Sequence, residues 1–176
     1  ETSQYAKDQY KYELDSGYAQ KGSWDMHYTD DVSCEAFTVG KLLSVRRDYS
    51  TYAGGAHGYA YSSAWNFDVE HAKFISDVTT LGADSQKLHD AVYDEILRQV
   101  GELSPEITDG YWNDYKDIIS NWNVDYYTWF TPDGMYVSFP SYTLAPYAAG
   151  EQRFLISYDV ISPLLSDTGK TLLGLT

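Results

Sequence analysis

An α+β fold is predicted for this chain: an antiparallel β-sheet meander with one main helix and one or two shorter helices packed on it. Three observations predict it. Alternating apolar and polar residues recur at 23–37, 42–52 and 59–67, separated by short glycine-bearing turns. Residues 85–100 instead carry apolar side chains at helical spacing. The composition is strand-like, with 18 Tyr and 5 Trp in 176 residues.

The elements follow in order. Residues 3–16 read as a helix: Thr2 or Ser3 can cap it, Ala6, Tyr10 and Leu14 recur every fourth position, and Gly17 ends it. Residues 23–37 then alternate. Trp24, Met26, Tyr28, Val32, Cys34 and Ala36 share one face, which predicts a long half-buried strand, bulged at Asp30-Asp31. Gly40 turns the chain into a strand at 42–52 with Leu43, Val45 and Tyr49 on its apolar face. A third strand carries Tyr59, Tyr61, Ser63, Trp65 and Phe67, and a turn at 68–73 leads to a short strand at Phe74-Ile75.

Asp84 or Ser85 caps the main helix, with Leu88, Val92, Ile96 and Val100 as its stripe and Gly101 as its stop. Residues 111–121 read as a shorter helix with Tyr111, Tyr115, Ile118, Ile119 and Trp122 as its apolar set. Strands return at 125–130, 135–139 and 152–157, the first two joined by a compact turn at Pro132-Asp133. Residues 159–165 suit a helical turn or two, and 170–176 read as a weakly ordered tail. Between the last two strands, Pro140 and Pro146 bracket a non-strand crossover and Gly150 readmits the chain to a strand. Pro146, Tyr147 and Gly150, like Gly54, Gly55 and His57 earlier, are expected to serve backbone geometry.

Length and composition suit one domain spanning 1–176, with the helix and strands of 1–55 leading into the motif-rich region 56–170. Such a chain buries roughly two thirds of its unfolded surface without staples. The 12 Lys plus Arg against 26 Asp plus Glu leave a net charge of -14. That surface repels nucleic acid and anionic membranes, and it steers basic proteins inward. Net charge also serves plain solubility, and both readings stay open. The single cysteine, Cys34, allows no internal disulfide and is expected to be a buried, inert thiol on the apolar face of its strand. No apolar run approaches the ~20 residues of a membrane span. The absence of a signal peptide and the start at Glu1 lead us to expect a mature or excised fragment.

Catalytic motifs are absent. No nucleophile elbow, phosphate-binding loop or dinucleotide fingerprint occurs, and Cys34 has no basic partner in sequence. His27, His57, His71 and His89 lack metal-ligand spacing, so neither a metal nor another cofactor is expected. His57, among glycines, could act as a base, but a ring bonding its local backbone explains it better. Carboxylate pairs such as Asp30-Asp31, Asp94-Glu95 and Asp114/Asp117 suggest a glycosidase acid and base, yet 26 acidic residues place some close by chance. Asp109, Asp114 and Asp117 do not match the spacing of an EF-hand calcium loop.

The acidic residues concentrate. Asp84 to Asp117 holds nine of them against Lys87, Arg98 and Lys116, interleaved with Tyr93, Tyr111, Trp112 and Tyr115. Acidic groups mixed with Tyr and Trp suit the rim and anchors of an interface with a basic protein. They also suit a sugar-stacking surface or a solvated helix. Asp109, Tyr111, Trp112, Asp114 and Tyr115 are the candidate binding residues, with no catalytic residue among them.

Several motifs then recur in a telling order: Gly54-Gly55-Ala56-His57-Gly58, Trp65-Asn66-Phe67-Asp68, Ile75-Ser76-Asp77, Phe130-Thr131-Pro132-Asp133-Gly134 and Leu144-Ala145-Pro146-Tyr147-Ala148-Ala149-Gly150. Over roughly residues 5–165 the chain resembles the bacterial RsiV-like family, which includes the sensor domain of an anti-sigma factor and the accessory domain of the PdaC peptidoglycan deacetylase. The resemblance implies an α+β domain outside the cytoplasmic membrane. In the sensor members it implies binding of lysozyme, a basic protein; in the deacetylase, catalysis belongs to a different domain. The membrane helix and sigma-binding segment of the sensor have no counterpart here, and the amino-terminal part is shorter. The function expected is a non-catalytic binding or sensor domain for lysozyme or peptidoglycan glycan. The alternatives are a carboxylate-dependent hydrolase of cell-wall carbohydrate and an architectural domain of a longer envelope protein.

Overall fold

A computed structural model describes residues 2–17, 29–52, 57–121 and 127–175. The elements, in order, are α1 (Thr2–Asp15), β1 (Thr29–Val39), β2 (Leu42–Tyr52), β3 (Tyr59–Asp68), β4 (Lys73–Ile75), α2 (Ser85–Glu102), α3 (Pro105–Thr108), α4 (Tyr115–Ser120), β5 (Tyr127–Thr131), β6 (Gly134–Phe139), β7 (Gln152–Ser157), α5 (Tyr158–Ile161) and α6 (Asp167–Leu173). The fold is α+β, with one sheet ordered β1-β2-β3-β4 and a second ordered β5-β6-β7. By contact the chain divides into two compact units, one of 1–33 with 48–61 and one of 34–47 with 62–176.

Within the first unit, the Thr51 hydroxyl donates to Thr29 O at 2.9 Å. The rings of Tyr49, Tyr61 and Tyr59 pack in series, tilted by 50–52°, with centroids 5.2–5.5 Å apart. His57 Nδ1 lies 2.9 Å from Gly58 O, the local backbone contact expected of it. Gly54 and Gly55 lie outside the described residues, as do Trp24, Met26, Tyr28 and Trp122.

The second unit holds the core. Asp84 caps α2 by accepting from the Gln86 and Lys87 N–H groups. The stripe Leu88, Val92, Ile96 and Val100 is buried. Four such side chains contribute on the order of 6–12 kcal/mol, an upper estimate before chain entropy is charged against it. They join Met135, Val137 and Phe139 of β6 and Phe154 and Ile156 of β7 in one core cluster. These residues alternate along their strands, and the register pairs Met135 with Ile156 and Val137 with Phe154 on one face.

β5 is an edge strand. The N–H of Phe130 and the C=O of Thr128 receive their partners from β2 and β3. Ser44 Oγ accepts the Phe130 N–H at 2.8 Å, and Asn66 Nδ2 donates to Thr128 O at 2.7 Å. The Ser44 hydroxyl in turn donates to Asn66 Oδ1. Both side chains are buried. This clamp satisfies a strand edge that would otherwise be open to pairing.

Five expectations are corrected. Cys34 is exposed, because β1 is an outer strand whose side chains are exposed from Thr29 through Ala36, so its alternation does not mark a buried face. In β2 the fully buried inner positions are Leu42 and Ser44 and not Leu43 and Val45, since Ser44 turns inward to serve the β5 edge. Gly101 does not stop α2, which runs on to Glu102 and ends when Leu103 becomes extended ahead of Pro105. The tail from Lys170 is part of α6, with Leu172 and Leu173 buried. Lys41 N–H bonds Leu172 O at 2.7 Å and Ser166 N–H bonds Leu81 O at 2.9 Å, which ties the tail down. The helix read at 111–121 shortens to α4, with Tyr111 ahead of it and α3 earlier still.

Candidate functional site

The segment from Asp109 to Tyr115 links α3 to α4, and the structure separates its aromatic residues by role. Tyr111 is buried, 7% exposed. Its hydroxyl donates to Gln152 Oε1 at 2.8 Å, and its ring meets that of Tyr115 edge-on at 5.4 Å. Burial, and secondarily the neighbouring Tyr115, pushes the Tyr111 hydroxyl above the usual tyrosine range. Tyr115 is half-buried against the core. Both rings therefore serve packing. Trp112, Asp109 and Asp114 face solvent.

Trp112 is held from two points, both on the crossover between β6 and β7. Its backbone N–H bonds Leu144 O at 2.8 Å, and its indole Nε1–H bonds Tyr142 O at 3.1 Å. The indole is still 38% exposed. Its one polar side-chain atom is already bonded, so a partner meets the ring's carbons and π surface.

The crossover supplies a second exposed ring. A turn closed by the Thr143 N–H on Pro140 O at 3.0 Å puts Tyr142 at its third position with φ +72°. Glycine is usual there, because a side chain at positive φ is crowded. Tyr142 is 52% exposed, and its ring lies 5.6 Å from that of Tyr147. Pro146 and Gly150 flank the single 3₁₀ turn Tyr147–Ala149, and Gly150 takes φ +71°. Tyr147 also packs on an exposed ring.

Trp112, Tyr142 and Tyr147 thus form one aromatic patch from two segments about thirty residues apart in sequence. Tyr142 was not singled out by sequence; an aromatic in a Pro-x-x-x turn, between two prolines, is the signal that could have found it.

Elsewhere several charged groups pair with one another. A cavity of about 230 Å³ is lined by Lys41, Asp68, His71, Asp167 and Thr171, among others. There the Asp68 carboxylate accepts from the Glu70 and His71 N–H groups at 3.0 and 3.1 Å, and lies 2.8 Å from His71 Nδ1. The hydrogen bond from the His71 ring leads in holding Asp68 below the usual carboxylate range. Glu95 is held low by the hydrogen bond from Arg98, which also pairs with Glu102. Among the described residues no group of three or more His, Cys, Asp or Glu side chains could hold a metal ion. No helix of the described residues is long and apolar enough to cross a membrane.

Comparison with known proteins finds a family model that matches just under half of the chain. Residues 77–159 match the family described as "Protein of unknown function (DUF3298)". The match takes in the Phe130–Gly134 and Leu144–Gly150 motifs and both segments of the aromatic patch. The chain is similar to the crystal structure of a DUF3298 family member from Bacteroides fragilis NCTC 9343, with 21% identity and a TM-score of 0.65 over 94% of this chain and 67% of that one. It is also similar to a DUF3298 family protein from Pseudomonas aeruginosa PAO1, with 12% identity and a TM-score of 0.56 over 91% of this chain and 69% of that one. At these identities the likeness is one of fold. No curated protein matches the chain.

Proposed function

We propose that this chain is a non-catalytic binding domain that works outside the cytoplasmic membrane and engages a basic protein through the surface centred on Trp112. The observation that carries the reading is the exposure of Trp112 and Tyr142 as fixed rings on a chain of net charge -14. Rings whose positions are set before binding lose little freedom on association. Their π surfaces suit the Lys and Arg heads of a cationic partner, while exposed carboxylates such as Asp109 and Asp114 steer it in. The RsiV-like resemblance makes lysozyme the first partner to try. A sensor role follows if this domain is joined to a signalling segment.

The hydrolase alternative is less well supported. A glycosidase acid needs a carboxyl whose pKa is raised. Among the described residues, the Asp68 and Glu95 carboxyls are displaced the other way, downward, by His71 and Arg98.

Calorimetric titration with lysozyme at low and high salt, with peptidoglycan fragments in parallel, tests the reading. The expected result is saturable binding to lysozyme that weakens with salt, because exposed charges are screened beyond about 10 Å at 0.1 M. Trp112→Ala is expected to weaken it by at least about tenfold, as loss of a central anchor does. Silence with lysozyme where a micromolar complex would form removes this partner. Heat with glycan alone transfers the same patch to sugar stacking. Silence with both leaves the architectural role.

A further inference from the structure

We infer that the open edge of β1 pairs with an extended, cationic segment of another protein, which adds to the β1-β2-β3-β4 sheet as a further strand. The inference stands on β1 alone and needs no part of the Trp112 surface. Strand addition of this kind draws its affinity from backbone hydrogen bonds and its selectivity from alternate side chains.

β1 ends its sheet, with β2 as its one neighbouring strand. A strand directs its N–H and C=O groups to both sides in turn, so one row of them points away from β2. Among the described residues, no backbone bond from outside the sheet reaches Asp30 to Thr38. Thr29 through Ala36 are all exposed, so nothing lies over the strand there. Two other edges are blunted. β5 is closed by the Ser44 and Asn66 clamp, and β4 is only three residues long. β1 runs for 11 residues, about twice the common strand length. It holds no proline, lysine or arginine, the residues that keep such an edge from pairing.

The side chains of β1 select the partner. Successive residues face opposite sides, which puts Asp31, Ser33 and Glu35 on one face and Val32, Cys34 and Ala36 on the other. With Asp30, the strand carries three carboxylates and no cation. Arg46 meets one Glu35 oxygen at 2.8 Å, and the Glu35 side chain is still 55% exposed. A carboxylate accepts more than one such bond. A strand laid beside β1 sets its own side chains next to these on both faces. Lys or Arg at every second position meets Asp31 and Glu35, and apolar residues between them meet Val32, Cys34 and Ala36. A second copy of β1 would instead bring three more carboxylates, on a chain already at net charge -14.

Three short synthetic peptides of equal length test this: Lys alternating with Val, Glu alternating with Val, and the Lys/Val peptide with its central amides N-methylated. Binding is read by fluorescence anisotropy and by hydrogen exchange of the β1 amides. The Lys/Val peptide is expected to bind saturably, and the other two at least about tenfold more weakly. On binding, every second amide between Asp30 and Thr38, the outward row, should exchange at least about tenfold more slowly. Asp31→Lys and Val32→Lys, each placing a cation on the edge, should weaken the Lys/Val peptide at least about tenfold. Asp94→Lys, on the exposed side of α2, makes the same charge change as Asp31→Lys and should stay within about threefold of wild type. Circular dichroism and Tm confirm that the variants fold.

Equal binding of the Lys/Val peptide and its N-methylated form overturns the inference, because backbone pairing would then play no part. So does binding that leaves β1 exchange unchanged, an equal loss from Asp31→Lys and Asp94→Lys, or no binding of Lys/Val to the wild type. Protection of the same amides by protein concentration alone, with a dimer in sedimentation, makes the occupant a second copy and overturns the cationic segment.

Discussion

The substitution Asn66→Ala removes the hinge of the buried clamp that closes the β5 edge. In the native fold the Asn66 amide donates to Thr128 O and its carbonyl accepts from Ser44, whose oxygen accepts the Phe130 N–H. With alanine at 66, Thr128 O loses its partner and the Ser44 hydroxyl loses its acceptor, both away from water. A buried polar group left unpaired costs about 1–3 kcal/mol, so two give about 4 kcal/mol. That is roughly a third of a typical stability of 5–15 kcal/mol. At about 2–4 °C per kcal/mol for a chain of this size, Tm should fall by roughly 8–16 °C. Urea unfolding followed by Trp fluorescence measures the change. Ser44→Ala and the double variant complete a cycle, in which the double should cost less than the sum by about 1 kcal/mol or more. A loss under about 1 kcal/mol for Asn66→Ala, or strict additivity, would refute the view that these side chains act as one device on the strand edge.

Further outcomes follow from single positions. Gly134, at φ +150°, would put a Cβ 2.4 Å from Ile156 O, whereas a Cβ at Gly150, at φ +71°, meets nothing within 4 Å. Gly134→Ala should therefore lower stability by several kcal/mol, and Gly150→Ala by about 1–2 kcal/mol from backbone strain alone; equal losses in urea unfolding would contradict this. Tyr142→Gly relieves the positive φ while removing the ring, so stability should stay within about 1 kcal/mol of wild type while partner binding falls at least about tenfold. A large stability loss would instead make the ring part of the packing. Burial, with the Asp133 charge second, pushes the Tyr158 hydroxyl up to about 12. Its neutral form is thus favoured by folding, and the contribution is complete below the unfolded value of about 10 and lost as pH rises toward 12. Tyr158→Phe should flatten the decline of stability between those pH values, and an unchanged slope would count against the assignment. Cys34, exposed on β1, should react with a disulfide reagent in the native state; reactivity only after denaturation would contradict its placement.

Elements with a repeating pattern were legible in the sequence. The stripe Leu88, Val92, Ile96, Val100 gave α2 and its buried face, and the turn Pro132-Asp133 gave the β5–β6 hairpin with Thr131 paired to Gly134. Periodicity failed where burial depends on a neighbour distant in sequence. Alternation in β1 does not report whether anything covers the strand, so Cys34 was misplaced. Ser44 looks like an outward polar residue until β5 is brought beside it, 86 positions later. Lys170 to Thr176 has no strong stripe, and Leu172 and Leu173 are buried because Lys41 and Leu81 supply backbone partners to α6 and its cap.

The candidate site was half legible for the same reason. Tyr111 and Trp112 are adjacent aromatics, and composition cannot say which faces water. The choice is made by the crossover, whose Leu144 and Tyr142 carbonyls take both of the Trp112 N–H donors. Those two bonds hold the indole at the surface and send Tyr111 inward to Gln152. The stretch from Phe139 to Gly150 therefore does more than return the chain to β7. It carries Tyr142 at a backbone angle that costs about 1–3 kcal/mol for a side chain, in a turn where glycine would remove that cost. Stability gives little reason to keep a half-exposed tyrosine there, and contact with a partner gives one. Because the indole N–H is already bonded to protein, the contact proposed for Trp112 would come through its ring surface. On a strongly acidic chain this favours the side chains of a cationic protein over a ligand recognised by hydrogen bonds.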